Sequence, residues 1–226
     1  MTRARYADGL RAFRRRITAA ALALCLAAGS AFAQMPRPAE PQEPVIVAFG
    51  DSLTAGFGLA EEESYPSLLQ ARLKRAGYPH RVVNAGVSGD TSAGGLARLD
   101  WVLQQPVQAM IVCFGGNDGL RGLDPEQLRR NLSAIVARAQ SRGAAVILAG
   151  MRLPTNYGPE YNRRFRAVFP AVAKAHHAAY LPFLLEGVAG KPELNQADGI
   201  HPNAAGARIV EANVWKVLKP ILDGKR

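Results

Sequence analysis

Cysteine is nearly absent from this chain. Its 226 residues hold two, Cys25 and Cys113, and the first falls in an N-terminal segment that reads as removable. One cysteine in the remaining domain cannot form an internal disulfide, so an oxidising compartment is tolerated but not used for stability. Cys113 lies inside the apolar run Met-Ile-Val-Cys-Phe at 110–114, which reads as a buried thiol rather than a nucleophile or metal ligand. The HEXXH pattern and paired Cys/His spacings are missing, which removes the familiar zinc sites. No basic cluster is interleaved with aromatics, so nucleic-acid binding is a poor explanation of the formal charge of +10. No hydrophobic run reaches the roughly 20 residues that span a bilayer.

The N-terminus accounts for much of the charge. Arg3, Arg5, Arg11, Arg14, Arg15 and Arg16 face a single Asp8, an apolar stretch covers 17–29, and Ala31-Phe32-Ala33 is a small-x-small cleavage site. This layout predicts a secretory signal peptide over 1–33 and a periplasmic or secreted protein. A lipid anchor on Cys25 would want a small residue before it, and Leu24 stands there. No stable membrane anchor is expected. Removing the leader's six arginines and one aspartate leaves 22 basic and 17 acidic residues, about +5. Four prolines between 36 and 44 make residues 34–44 an extended leader to one domain over 45–226.

Inside that domain strand-like runs alternate with helical patterns. The strands are expected at 45–49, 81–84, 109–114, 144–149 and 179–181. Helices are expected at 65–76, 93–103, 125–141, 160–177 and 204–218. Asp124 with Pro125 behind it marks a helix start, and Gly143 marks the stop of the same helix. The alternation predicts an α/β fold with a parallel sheet and helices on both faces. A parallel sheet brings the loops after its strands to one edge, and the unusual residues gather in those loops.

The first such loop is Gly50-Asp-Ser-Leu-Thr-Ala-Gly-Phe-Gly58. A serine at a strand end followed by a helical segment suits a nucleophile or a phosphate-binding turn. The stretch has no lysine, and neither the GxxxxGK[ST] nor the GxGxxG pattern fits it. GxSxG is also missing, because Asp51 and Leu53 flank Ser52. The last loop carries Asp198-Gly-Ile-His201-Pro-Asn203. A carboxylate three residues before a histidine can reach Nδ1–H, fix the tautomer and leave Nε2 as a base. The order Ser52, Asp198, His201 then forms a credible triad, although an isolated D-x-x-H would be read as a helix cap. The oxyanion would need several donors. The Ser52 and Gly89 N–H groups and the Asn117 amide are the candidates. Leu120, Leu123, Pro154 and Tyr157 offer an apolar groove beside them, or simply loop anchors.

GDSLTAGFG, the Ser88-Gly89-Asp90 turn, Gly115-Gly-Asn117-Asp118 and DGIHPN resemble, in order, the four blocks of the SGNH (GDSL) hydrolase family. The resemblance covers nearly all of the chain after the leader. It implies a three-layer flavodoxin-like fold with five parallel strands in the order 2-1-3-4-5, and no metal or cofactor. It also implies hydrolysis of acyl esters and thioesters, including fatty-acyl thioesters, lysophospholipids and aryl esters, so the expected partner is a small acyl substrate. A carbohydrate O-deacetylase is the alternative within the family. A non-catalytic binder on the same fold would be expected to lack Ser52 or His201, and both are present.

Overall fold

The computed structural model describes residues 43–224. The predicted signal peptide and residues 34–42 of the leader lie outside the described residues. Five strands, β1 (Val45–Gly50), β2 (Arg81–Gly86), β3 (Ala109–Cys113), β4 (Ala145–Ala149) and β5 (Ala179–Leu181), form one parallel sheet. Its spatial order is β2-β1-β3-β4-β5. Every residue of β1 and β3 is buried. Central strands covered on both faces must be apolar throughout, which is why both read as unbroken hydrophobic runs. The edges differ. β2 leaves Arg81 and Asn84 exposed and β5 has three residues. Short or charged edges discourage pairing with another chain.

The described helices are α1 (Ser52–Ala55), α2 (Tyr65–Arg75), α3 (Ser92–Val102), α4 (Gly116–Leu120), α5 (Pro125–Ser141), α6 (Pro159–Ala175) and α7 (Ala204–Leu222). α2 packs on α7, and α3 packs on α5, which packs on α6. These two groups cover the two faces of the sheet. The chain runs from β1 outward to β2, then crosses back to β3 on the other side of β1. The strand order therefore reverses at the β1/β3 boundary, the place where open α/β sheets bind ligands.

Element boundaries follow local chemistry. The Asp124 carboxylate accepts from the Glu126 N–H and Pro125 opens α5, as the sequence indicated. The last helix continues to Leu222, beyond the expected end at 218, with Pro220 inside it. α1 is the helical segment expected after the first strand, whereas α4 was expected only as a turn. Five residues are too few to display a helical period.

The strands end together. Gly50 pairs with Gly86 on one side and Cys113 on the other. The segments that follow therefore start at one level. Phe49 and Phe114 meet edge-on beneath them, with centroids 4.9 Å apart. Cys113 is a free, buried thiol. Gly86 lets β2 finish against the back of α1. A Cβ there would stand 2.2 Å from the Ala55 backbone nitrogen and 2.7 Å from the Ala55 Cα. Backbone cannot swing aside as a side chain can, so Gly86→Ala is expected to destabilise the domain by about 2–3 kcal/mol. Tm should fall by roughly 5–10 °C. A thermal denaturation curve that superimposes on that of the parent chain would show α1 to be free to move.

Candidate active site

The β1 strand delivers Asp51 and Ser52 straight into α1. Asp51 is the N-cap, and its Oδ1 accepts from the Leu53 N–H at 3.1 Å. Ser52 is the first helical residue, so its own N–H has no acceptor within the helix. Gly56, at φ 80°, ends the turn, and a Cβ there would collide with Ser64. The short helix thus holds the serine hydroxyl and its N–H at the sheet edge with little freedom.

His201 meets Ser52 across 149 positions of sequence. Its Nε2 is 2.8 Å from Ser52 Oγ, and its Nδ1 is 2.6 Å from Asp198 Oδ2. The second carboxylate oxygen, Oδ1, accepts from the Ile200 N–H at 2.9 Å and the His201 N–H at 3.0 Å. Burial pushes the Asp198 carboxyl up. The His201 ring and these two N–H groups outweigh burial and bring it down to about 2. Asp198 therefore stays ionised, and a carboxylate facing Nδ1 favours the tautomer that carries its proton on that nitrogen. Asn203, two residues on, caps α7 through the Ala205 and Gly206 N–H groups. The capping function and the histidine's orientation coexist in one loop.

The other two loops close on the same point. The Val87 N–H donates to Gly50 O at 3.0 Å, and the Asp90 N–H donates to Val87 O. The turn between them holds Gly89 at φ 83°, a conformation that side chains disfavour. Asn117 on α4 donates through Nδ2 to Asp90 O at 2.9 Å, which leaves its second N–H for a ligand. Arg121 clamps Gly89 O from outside at 2.9 Å.

Among the supporting residues, Asp90 and Asp118 fall within the blocks quoted above, while Arg98, Asn131 and Gln196 carried no local signal in the sequence. Arg98 on α3 donates to Gly50 O and Ala85 O, both at 2.9 Å, and pairs with Asp90 at 2.7 Å. Its guanidinium also stacks 4.5 Å from the Phe49 ring. One side chain therefore satisfies strand-end carbonyls of β1 and β2 and anchors the Gly89 turn. Asp118 holds the Ser92 N–H and hydroxyl at 2.8 and 2.5 Å, and Asn131 supports the same hydroxyl. Gln196 joins the Ser52 turn to the histidine loop. Its amide donates to Phe57 O at 2.6 Å and Pro202 O at 3.0 Å, and its N–H donates to His201 O. These residues act through contacts made only in the folded chain, so no spacing betrays them.

The four groove candidates occupy one flank. The Tyr157 hydroxyl donates to Leu120 O at 2.9 Å, while Leu123 and Pro154 are exposed. A narrow crevice that touches both Ser52 and His201 opens on the other flank. Leu53, Phe57, Leu59, Leu185, Pro202 and Val210 line it, and none of the four is among them. Phe57 lies tilted against the His201 ring, with centroids 4.7 Å apart.

A serine, a histidine and a carboxylate in hydrogen-bonded series at the edge of a doubly wound sheet define a serine hydrolase. The chain belongs to the GDSL-like Lipase/Acylhydrolase family, whose pattern it matches over residues 48–209. It is 48% identical over 202 residues to Esterase TesA of Pseudomonas aeruginosa, covering 88% of this chain and 99% of that one. It is 39% identical over 179 residues to the Thioesterase 1/protease 1/lysophospholipase L1 of Escherichia coli K12, covering 79% and 85%. A crystal structure of TesA superimposes with a TM-score of 0.76 at 47% identity, over 78% of this chain and 99% of that chain.

Asp51 adds a pH dependence to the site. It is 1% exposed. Burial raises its carboxyl to about 7, the Leu53 N–H opposes this, and Asp118 and Asp90 add to it. A carboxyl whose folded pKa exceeds its ordinary 3.8 stabilises fully below that value and loses the contribution as pH rises through about 7. Asp51→Asn keeps an acceptor for the Leu53 N–H and removes the titration. Between pH 4 and pH 8 the parent chain is expected to lose on the order of 2–4 kcal/mol relative to the variant. Chemical denaturation at the two pH values measures it, and an equal difference at both would refute the assignment.

Proposed function

We propose that Ser52 is the nucleophile, His201 its general base and Asp198 the carboxylate that orients His201. The oxyanion hole comprises the N–H groups of Ser52 and Gly89 and the side-chain amide of Asn117. The chain is a serine esterase of the GDSL/SGNH family that acts on esters and thioesters, and these residues perform the chemistry. The observation that carries the assignment is the unbroken hydrogen-bond series Ser52–His201–Asp198.

In this mechanism His201 Nε2 takes the hydroxyl proton as Ser52 Oγ attacks the acyl carbon. The carbonyl oxygen becomes an oxyanion that accepts from the three donors. Each such donor stabilises the transition state by about 2.7–4 kcal/mol, because it strengthens as charge develops. His201 then protonates the leaving alcohol or thiol, and an acyl-serine remains. Water, deprotonated by the same nitrogen, releases the acid and restores the serine. Asp198 remains a carboxylate throughout and stabilises the imidazolium formed in each half of the cycle.

Fatty-acyl thioesters, lysophospholipids and small aryl esters are the proposed substrates; relatives named thioesterase/lysophospholipase and arylesterase support thioesters, lysophospholipids and aryl esters. The acyl chain runs along the flank of Leu120, Leu123, Pro154 and Tyr157, and the leaving group departs on the His201 side, where it collects its proton. The leader is a signal peptide cleaved after Ala33, and the enzyme works in the periplasm or beyond. Among the described residues no helix is long and apolar enough to cross a membrane.

Ser52→Ala is expected to abolish turnover of a chromogenic ester while the protein keeps its fold; residual turnover at the parent rate would sink the nucleophile. Asn117→Ala should lower kcat by about 10²–10³-fold with little change in Tm. In a series of esters of increasing acyl length, kcat/KM should rise with length. A strict acetyl preference would favour deacetylation of sugars instead. Mass spectrometry of the exported protein should find Gln34 as its first residue.

A further inference from the structure

Large exposed hydrophobic side chains are few among the described residues: Phe57, Val87, Trp101, Leu123 and Ile200. Four of the five stand on the loops that carry the site. Phe57 closes the nucleophile turn and packs, tilted, against His201. Val87 is bonded to the end of β1 through its N–H, two residues before Gly89. The Leu123 N–H bonds to Asp118 O beside Asn117, and Ile200 immediately precedes His201. Scattered single hydrophobics need no explanation, but a set confined to one mouth marks an interaction surface.

A charged cavity adjoins this rim. Arg152, Arg163 and Arg166, with Asn162, Thr155 and Leu153, line about 320 Å³ between the loop after β4 and the start of α6. The same loop rests on α4, since a Cβ on Gly119 would meet Leu153 at 2.5 Å. Glu186 faces Arg152 at 3.5 Å and Glu160 pairs with Arg163. Arg166 has no ion pair among the described residues. Glu61 and Glu62 are exposed on a short turn after α1 that packs against α2 and α7, on the face of the sheet opposite α6. The mouth is thus apolar at its rim, cationic toward β4 and acidic on the opposite face.

We propose that this face docks on the surface of an anionic phospholipid aggregate, with the apolar rim inserted at the acyl boundary and the arginine cavity on a phosphate headgroup. The inference rests on the esterase assignment and deepens it, because docking delivers a lipid ester to Ser52 without its passing through water. Apolar contact combined with attraction of arginine to anionic headgroups is the established physics of interfacial binding. The acidic flank tilts the molecule so that the arginine side leads.

The test uses the purified protein and vesicles of anionic or purely zwitterionic phospholipid, with bound protein measured by sedimentation. The parent chain and the inactive Ser52→Ala variant should both bind anionic vesicles, which separates docking from catalysis. The double variant Val87→Ser/Ile200→Ser should bind at least fivefold less. It should also lose most of the rate gain that the parent shows when an amphiphilic ester passes its critical micelle concentration, a loss several-fold larger than any change in its kcat/KM on a water-soluble short ester. Trp101→Ser, away from the mouth, should match the parent. Arg163→Gln/Arg166→Gln should lower binding to anionic vesicles and weaken its salt dependence. Equal binding to zwitterionic vesicles, equal loss in Trp101→Ser, or an equal loss of soluble-ester turnover in the rim variant would each overturn the proposal.

Discussion

The site depends on β1 ending at Gly50 between two strands that end beside it. That alignment brings the strand-end carbonyls of β1 and β2 to the edge of the ladder, and buried carbonyls must be satisfied. Arg98 satisfies Gly50 O and Ala85 O, and through Asp90 it also fixes the turn that presents Gly89. The same guanidinium rests on Phe49, so the hydrophobic core positions the hydrogen-bond donors above it. The catalytic edge is the upper boundary of the core rather than an addition to it.

Two loops far apart in sequence must then agree to within a hydrogen bond. Ser52 is held by a helical turn too short to be stable alone, braced by Gly86 below and Ser64 beside it. His201 is held by Asp198 on one side and by the α7 cap on the other. Gln196 spans the gap by bonding to both segments. Such bracing is the usual requirement of a site whose geometry must be correct before substrate arrives. The electrostatics also divide cleanly. Asp198, half in water and surrounded by donors, stays ionised, while Asp51, buried beside other carboxylates, is driven toward neutrality. Adjacent positions of the same edge therefore hold one carboxylate for orientation and one carboxyl for structure.

Much of this was legible in the chain itself, for identifiable reasons. β1 and β3 were recognisable because a strand buried on both faces has to be apolar at every position. The α5 boundaries were recognisable because Asp124, Pro125 and Gly143 each perform a terminal function that few residues perform. The short helix α4 was not, since a single turn shows no period. The apolar crevice on the Phe57 side was also missed, because its lining comes from α1, the segment after β5 and α7. No local stretch contains enough of it to be noticed.

Sequence alone determined the class of the protein. The alternation of strands and helices, the four blocks in order and the Asp198–His201 spacing are local patterns, and local patterns follow from backbone and side-chain geometry within a few residues. Only the tertiary structure decided which groups meet. It brought Ser52 to 2.8 Å from His201, gave Arg98 and Gln196 their bridging positions and buried Asp51. Those outcomes depend on the parallel crossover that reverses direction at β1. A contact between residues 149 positions apart is set by how the whole sheet is wound, and nothing within a few residues of either partner encodes it.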